Sequence, residues 1–212
     1  MQTPDERQFA PATQRNREPI LAVLTEVLPP DGTVLEISSG TGEHAVFFAP
    51  ALAPRRWLPT DPNPTARASI AAWQRHSPAA NLHPPLALDV RDPVWPVETP
   101  LPEVELNQTP ITAIVNINMI HISPWSACLG LMAGASRILP SGGILYLYGP
   151  FQQDGRHTAP SNAEFDQSLR RQNSEWGVRH LEEVVAVAQS QQLSLVSTYT
   201  MPANNLSVVF RR

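Results

Sequence analysis

Residues 33–49, with the sequence TVLEISSGTGEHAVFFA, constrain the fold of this chain more than any other stretch. An apolar run is interrupted by a small, glycine-bearing turn at residues 38–42 and then resumes, which predicts a strand, a tight loop and a helix. Glycines let a backbone approach a ligand closely, and free N–H groups at a helix start suit polar or anionic ligand atoms. The stretch therefore favours a nucleotide-cofactor site, although a tight strand-to-helix connection has the same pattern.

The length and charge of the chain limit the classes of protein to which it can belong. A sequence of 212 residues is expected to form one domain, because single hydrophobic cores grow to ~250 residues before chains divide. The formal net charge is -4 and no basic run is present, whereas proteins that bind nucleic acid through its phosphates carry clustered Lys and Arg. We therefore expect a small-molecule substrate and no nucleic acid, with the oligomeric state left open.

The start of the chain and its single cysteine indicate the cellular compartment. The first ten residues lack the basic and apolar regions of a signal peptide, and no apolar run reaches the ~18 residues of a membrane span. Cys128 cannot form an internal disulfide, and its apolar neighbours favour a core residue over a nucleophile. These features predict a soluble, cytoplasmic protein that does not contact a membrane.

The order of apolar runs and helical patterns predicts an α/β fold. Helices are expected at residues 17–28, from the glycine-bearing turn to about residue 50, and at residues 65–76, 127–139 and 181–191. Strands are expected before that turn and at residues 57–60, 86–90, 111–117, 144–149, 193–201 and 206–211, the last two forming a hairpin. The prediction is a three-layer Rossmann-like sandwich with a mostly parallel seven-stranded sheet and a C-terminal antiparallel hairpin.

Three stretches are expected to lie outside this sandwich. Residues 1–16 are polar and predict an N-terminal arm. About twenty proline-rich residues after residue 90 form a connection that is long for a compact domain, which indicates a surface excursion. Residues 151–180 are polar, with short helical stretches around residues 164–171, and are expected to cover the substrate or to form a solvated excursion.

Polar groups stand at the predicted end of each central strand, where open α/β sheets bind ligands. They are Glu36 with the glycine turn, Asp61, Asp89, Asn118 with His121, and Tyr148. A purely structural sheet would not require this pattern, although each residue alone could form a cap or turn.

Two of these carboxylates suit a nucleoside. Asp61 lies nineteen residues after Gly42, a spacing that favours hydrogen bonds to a ribose diol over a simple turn before Pro62. Asp89 could accept a hydrogen bond from an adenine amine or fix its own loop, and the sequence does not separate the two.

Two cofactors fit the glycine turn. Gly40, Gly42 and Ala45 satisfy the dinucleotide fingerprint, so the turn alone is compatible with NAD. Glu36, just before the turn, suits a cofactor that carries an ammonium group better than a pyrophosphate, whose charge it would oppose. The C-terminal hairpin and the LPSGG turn before residue 144 also favour S-adenosylmethionine.

The sequence resembles class I S-adenosylmethionine-dependent methyltransferases and, more narrowly, an uncharacterised methyltransferase-like family of bacteria and animals. The narrow match is carried by RNREPIL, VLEISSGTGEHAVFFA, VNINMIHISPW, LYGPF, SNAEFD, WGVR and MPANN, over nearly the whole chain. The first of the superfamily's three loop glycines is replaced by Ser38. The resemblance implies that Glu36, Gly40 and Gly42 hold the methionine part of the cofactor, Asp61 the ribose and Asp89 the adenine.

The expected reaction is methyl transfer to a small polar or anionic acceptor, without a metal. Because positioning can supply up to ~7–11 kcal/mol of the acceleration, no protein nucleophile is required. His121 is the first candidate for a general base if the acceptor carries a proton, although a lone histidine there is as often structural. Asn118 and Tyr148 are expected to orient the acceptor.

The residues predicted for the site fall into three sets. Cofactor binding is assigned to Glu36, Ser38, Gly40, Gly42, Asp61, Asp89 and Asn118, and catalysis to His121, Asn118 and Tyr148. Substrate binding is assigned to Arg15, Asn16, Trp125, Arg156, Asn162 and Arg179. The ring of Trp125 could instead belong to the core. Two other functions remain compatible with the sequence: a non-catalytic cofactor-binding module that acts through a partner, and an NAD-dependent oxidoreductase.

Overall fold

A computed structural model of the protein describes residues 5–101 and 104–212. The helices are Pro11–Val27 (α1), Glu43–Ala51 (α2), Pro64–His76 (α3), Trp125–Ile138 (α4), Pro160–Gln172 (α5) and Leu181–Ser190 (α6). The strands are Thr33–Ile37 (β1), Arg56–Pro59 (β2), Ile111–Ile117 (β3), Ile144–Gly149 (β4), Phe151–Gln153 (β5), Arg156–His157 (β6), Arg179–His180 (β7), Ser194–Met201 (β8) and Asn205–Arg211 (β9).

The main sheet has the strand order β2-β1-β3-β4-β9-β8. Strands β1 to β4 are parallel, whereas β9 runs antiparallel to both β4 and β8. The predicted α/β class and the C-terminal hairpin are confirmed. The sheet has six strands, however, and the expected seventh is missing from the described residues.

The missing strand is the one predicted at residues 86–90. This part of the chain lies beside β2 but touches it only through two isolated bridges, from Trp57 to Leu82 and from Thr60 to Leu86. Pro84 and Pro85 separate the two bridges, and proline has no N–H group to donate to a neighbouring strand. Within residues 86–90 only Leu86 forms a bridge, so this run supplies the buried Leu88 and Val90 without a continuous strand.

Hydrophobic side chains fill both faces of the main sheet. One cluster joins α1 and α2 to the sheet through residues such as Ile20, Phe48 and Trp57. The other joins α4 and α6 through Leu131 and Val184. Every residue of β1 and β4 is buried, as expected for strands covered on both faces. No helix among the described residues is long and apolar enough to cross a membrane.

The proline-rich connection after residue 90 is anchored in the core rather than lying wholly on the surface. The Trp95 side chain is fully buried, and its Nε1 donates a hydrogen bond to the Val90 carbonyl at 3.2 Å. Its ring lies against Gly134 of α4, where a Cβ atom would collide with it. The prediction of a surface excursion is therefore wrong for this residue. Cys128 is also buried, and burial raises the pKa of its thiol to about 12, which confirms a core residue.

The first helix begins at Pro11, six residues before the predicted start. Proline at the first helical position fixes φ near its helical value, and Thr13 and Asn16 of the first turns are buried. The sequence did not indicate this start, because residues 11–19 are mostly polar and the helical pattern of apolar residues begins only at Ile20. The prediction that residues 1–16 form an arm is therefore wrong from residue 11 onward, and residues 1–4 lie outside the described residues.

Candidate active site

The loop between β1 and α2 carries three positive φ angles, at Ser38, Gly40 and Gly42. The two glycines have different surroundings. A Cβ atom on Gly42 would lie 2.7 Å from the Ile70 Cα, whereas a Cβ atom on Gly40 would meet no atom of the described residues within 4 Å. Gly42 therefore allows α2 to pack against α3, and Gly40 leaves open space in which a ligand can approach the backbone.

Asp61 connects the end of β2 to this loop. Its Oδ2 accepts a hydrogen bond from the Gly40 N–H at 3.0 Å, and its Oδ1 accepts one from the Asn63 N–H at 2.9 Å. Burial raises the pKa of the Asp61 carboxyl group, while these two N–H groups oppose the rise. Each carboxylate oxygen can accept a further hydrogen bond, so Asp61 can also bind a hydroxyl group of a ligand.

Glu36 lies inside the sheet, directly before the loop. Its side chain is 2% exposed, and its Oε2 accepts a hydrogen bond from Trp57 Nε1 at 2.9 Å. Burial raises the pKa of Glu36 to about 7, although the Trp57 and Ser39 hydrogen bonds oppose this rise. A cation placed nearby would favour the ionised form of this carboxyl group.

Asn116 of β3 presents a buried acceptor at the same edge of the sheet. Its Nδ2 donates to the Ile37 carbonyl at 3.1 Å, at the end of β1. The residue is 1% exposed, and its Oδ1 has no hydrogen-bond partner among the described residues. Buried acceptors are normally paired, which makes Asn116 a candidate ligand-binding residue. The polar interruption of the apolar run at residues 111–117 was its only sequence signal.

A cavity of about 590 Å³ opens beside this edge of the sheet. We call it the acceptor cavity. Its walls come from α1, the chain after β3, the end of β4, α5 and the β8–β9 turn, and they consist of Ala12, Arg15, Asn16, Asn118, Ile122, Tyr148, Pro150, Ser161, Asn162, Phe165, Pro202, Ala203, Asn204 and Asn205. Five residues predicted for the site therefore come together here: Arg15, Asn16, Asn118, Tyr148 and Asn162.

A hydrogen bond links the acceptor cavity to the glycine loop. His44 Nε2 lies 2.9 Å from Asn16 Oδ1, and His44 belongs to the first turn of α2, directly after the loop. Burial, with a smaller effect of Arg17, lowers the pKa of His44 to about 4, so the ring is neutral near pH 7. The sequence analysis missed His44, because only the packing of α1 on α2 brings it to Asn16.

Three residues of the cavity wall have positive φ angles. Asn118, Ala203 and Asn204 have φ values of 65°, 56° and 58°, a region that asparagine adopts more readily than most residues and that tight hairpin turns use. Asn162 Nδ2 holds the β8–β9 turn by donating to the Asn204 carbonyl at 2.9 Å. These angles and this hydrogen bond fix the shape of the wall.

His121 does not reach the acceptor cavity. The residue is 0% exposed, and its ring packs edge-on against Phe151 with a centroid distance of 4.9 Å. Burial, assisted by the Arg179 charge, lowers the pKa of His121 to about 3. An imidazole enclosed in this way does not contact a molecule in the cavity, and its Nε2 has no hydrogen-bond partner among the described residues. The enclosure weighs against a general base, and that role stays a prediction.

Arg179 and Trp125 form a structural pair away from the cavity wall. The Arg179 guanidinium donates to the carbonyl oxygens of Ile120, Ser123 and Glu175 at 2.9, 2.7 and 2.8 Å. It also lies 5.5 Å from the centre of the Trp125 ring. Arg179 thus holds the chain that follows β3. Neither residue belongs to the cavity wall, and their binding of substrate stays a prediction.

Two further predicted residues lie apart from the cavity. Arg156 is exposed on β6 and is absent from the cavity wall, so the structure does not bring it to this cavity and its substrate binding stays a prediction. The carboxylate of Asp89 is engaged by the guanidinium of Arg91, with Arg91 Nη2 at 2.5 Å from Asp89 Oδ2. This pairing lowers the pKa of Asp89 and favours the alternative that Asp89 fixes its own loop.

Known proteins resemble this chain in sequence and in fold. Residues 7–212 match the model of a family described as "Protein of unknown function (DUF938)". The apo structure of the S-adenosylmethionine-dependent methyltransferase SibL has a TM-score of 0.73 and 17% sequence identity, over 95% of this chain and 55% of that chain.

Two further solved structures give the same result. An O-methyltransferase family protein from Burkholderia thailandensis has a TM-score of 0.73 at 15% identity, over 95% of this chain and 57% of that one. Human N-acetylserotonin methyltransferase in complex with SAM has a TM-score of 0.74 at 15% identity, over 95% of this chain and 52% of that one. This chain therefore spans about half the length of these proteins. It has the fold of class I S-adenosylmethionine-dependent methyltransferases, which confirms the predicted resemblance.

Proposed function

Since the chain belongs to the DUF938 family of proteins of unknown function, we propose from its fold and site that it transfers a methyl group from S-adenosylmethionine to a small polar or anionic acceptor. One observation carries the proposal: the open space at Gly40 lies beside the Asp61 carboxylate, and the His44–Asn16 contact joins this loop to the acceptor cavity. Neighbouring sites for a cofactor and a second molecule are what a transferase requires.

The loop and the strand ends offer suitable groups for the cofactor. Glu36, Ser38, Gly40 and Gly42 surround the space proposed for its methionine part, where the ionised Glu36 carboxylate would attract an ammonium group. Asp61 would accept hydrogen bonds from the ribose hydroxyls. Asn118, which directly follows β3, is the further residue that we assign to cofactor binding at this edge of the sheet. When bound, the cofactor supplies a methyl group that its sulfonium has already activated.

The acceptor cavity would orient the second molecule. Asn118 and Tyr148 line it at the ends of β3 and β4, and the Asn118 N–H donates to the Tyr148 carbonyl at 2.8 Å, which fixes their relative positions. Because the two residues lie on neighbouring strands of a rigid sheet, they can hold an acceptor in a defined direction. Such positioning is worth up to ~7–11 kcal/mol of the barrier.

Calorimetric titration tests the cofactor. We expect S-adenosylhomocysteine to bind, and Asp61→Asn to weaken its binding about tenfold or more, because hydrogen bonds to charged groups contribute ~1.5–3 kcal/mol. The exposed Asp92→Asn variant serves as the matched control and should bind as the wild type does. Tight binding of NAD without a response to S-adenosylhomocysteine would instead favour an oxidoreductase.

A second measurement separates an enzyme from a non-catalytic binding module. Metabolite extracts are incubated with the protein and with S-adenosylmethionine labelled in its methyl group, and products are sought by mass spectrometry. If the protein is an enzyme, a labelled small molecule forms with the wild type, and its formation decreases in the Asp61→Asn variant. Cofactor binding without any labelled product would favour the module that acts through a partner.

A further inference from the structure

The acceptor cavity has few side chains that can change protonation state. Among the described residues that line it, only Arg15 and Tyr148 are ionisable. Burial raises the pKa of Tyr148, although a hydrogen bond from Asn16 opposes the rise, so its hydroxyl group stays protonated near pH 7. An arginine does not act as a base, because it remains charged at this pH. The wall therefore provides hydrogen bonds and a positive charge but no group to remove a proton.

The nearest histidines do not supply this base. His121 is enclosed behind the wall, against Phe151. His44 lies beyond Asn16, and its Nε2 is already hydrogen-bonded to Asn16 Oδ1. An acceptor that must lose a proton during the transfer would thus lack a partner in the cavity. An acceptor whose attacking atom carries no proton, such as a carboxylate oxygen, needs none.

Arg15 gives the cavity a positive charge. It lines the cavity from α1, and the residue is exposed. Within the described part of the chain, Arg15 forms no ion pair with a carboxylate. The guanidinium group is therefore available to a carboxylate of a ligand, with which it can form two parallel hydrogen bonds.

Part of the acceptor cavity is lined by apolar side chains. Ile122 and Phe165 line the cavity and are 44% and 43% exposed, and both are among the few large hydrophobic side chains that are exposed in the described part of the chain. Pro150, Pro202 and Ala203 extend this apolar lining. Apolar surface in a binding cavity favours a ligand with an apolar body.

We propose that the acceptor is a monocarboxylic acid with an apolar body, and that one of its carboxylate oxygens receives the methyl group. The inference rests on the proposed function. In the transfer, the carboxylate oxygen forms an O–CH3 bond while the S–CH3 bond breaks, and the bonding pair stays on sulfur, which changes from sulfonium to thioether. The product is a methyl ester. No proton moves, which agrees with a cavity that contains no base.

Matched acceptors test this inference. Hexanoic, octanoic and phenylacetic acids are each paired with their own primary alcohol and amide, and binding is measured by calorimetry in the presence of saturating S-adenosylhomocysteine. Methyl-ester formation is measured separately with S-adenosylmethionine. We expect the acids to bind at least tenfold more tightly than their alcohols and amides, and to give methyl esters.

Two variants and one control test whether the acids bind in the acceptor cavity. Arg15→Gln should weaken binding of the acids about tenfold or more and leave binding of S-adenosylhomocysteine unchanged, whereas the exposed Arg171→Gln variant should change neither. Phe165→Ala should weaken the binding of octanoic acid more than the binding of hexanoic acid, because the longer chain extends further along the apolar lining of the cavity.

Several results would overturn the inference. They are preferential binding or methylation of the alcohols or amides, acid binding that does not depend on Arg15, and failure of every acid to bind or react. In each case S-adenosylhomocysteine would still bind, and the proposed function would survive. Loss of S-adenosylhomocysteine binding in the wild type would instead reject the proposed function.

Discussion

Gly40 and Gly42 both have positive φ angles but are expected to respond differently to the same substitution. In Gly40→Ala the new Cβ enters open space, so the cost to stability is only the left-handed backbone, about 1 kcal/mol. The methyl group would nevertheless occupy the proposed cofactor space and weaken S-adenosylhomocysteine binding about tenfold or more. Urea unfolding and calorimetry measure the two effects.

The Gly42→Ala variant serves as the comparison. Its Cβ would lie 2.7 Å from the Ile70 Cα, so α2 and α3 would have to separate, at a cost of about 2–4 kcal/mol in the free energy of unfolding. If Gly40→Ala bound the ligand as well as the wild type does, the open space at Gly40 would not be the cofactor site.

At the scale of elements, residues 5–10 form an extended segment that closes over α3 and the glycine loop. The Gln8 N–H donates to Ser69 Oγ at 2.8 Å, and Ser69 Oγ donates to the Thr41 carbonyl at 2.7 Å. The Ala10 N–H donates to Glu43 Oε2 at the start of α2. One buried hydroxyl group thus connects the segment, the helix and the loop.

We expect Ser69→Ala to loosen this connection. The substitution leaves the Gln8 N–H and the Thr41 carbonyl without their partner, which costs about 1–3 kcal/mol in the free energy of unfolding. Binding of S-adenosylhomocysteine should weaken with it, since Thr41 belongs to the loop. Ser126→Ala, at an exposed position of α4, should leave both quantities unchanged. A stability loss without any change in affinity would show that the segment supports α3 but not the loop.

The strand predicted at residues 86–90 illustrates what local patterns do not contain. Two of its apolar side chains, Leu88 and Val90, are buried, whereas Leu86 is partly buried and Ala87 is exposed. A strand also requires a continuous row of N–H and C=O partners on a neighbour. Pro84 and Pro85 interrupt that row beside β2, and the pairing could not be judged before the neighbour was known.

At the scale of the whole molecule, stability should depend on pH through buried groups. Glu36 has a pKa of about 7 in the folded protein against 4.5 for the free group. Its carboxyl group therefore contributes stability that is fully present below pH 4.5 and is lost as the pH rises through 7. Buried His44 and His121, with pKa values lowered to about 4 and 3, contribute stability that is present above pH 6.5 and is lost at acid pH.

The Glu36→Gln variant isolates the first of these effects. Relative to the variant, the wild type should lose about 3 kcal/mol of unfolding free energy between pH 4.5 and pH 8, since each pKa unit corresponds to 1.36 kcal/mol. Urea denaturation at several pH values measures the difference. A difference that does not change with pH would mean that Glu36 is ionised in the folded protein. Addition of a cationic ligand at the loop should reduce the loss.

The sequence by itself determined the elements and the loop of this protein. Apolar runs predicted β1, β3 and β4, and the glycines of residues 38–42 predicted a tight turn, because these are local properties of the backbone. Tertiary structure alone decided which polar side chains share the acceptor cavity. Asn118 lines it while His121, three residues later, is enclosed against Phe151, and Arg15 faces it while Arg179 binds carbonyl groups. The direction of a side chain depends on what packs around it, and those neighbours come from distant parts of the chain.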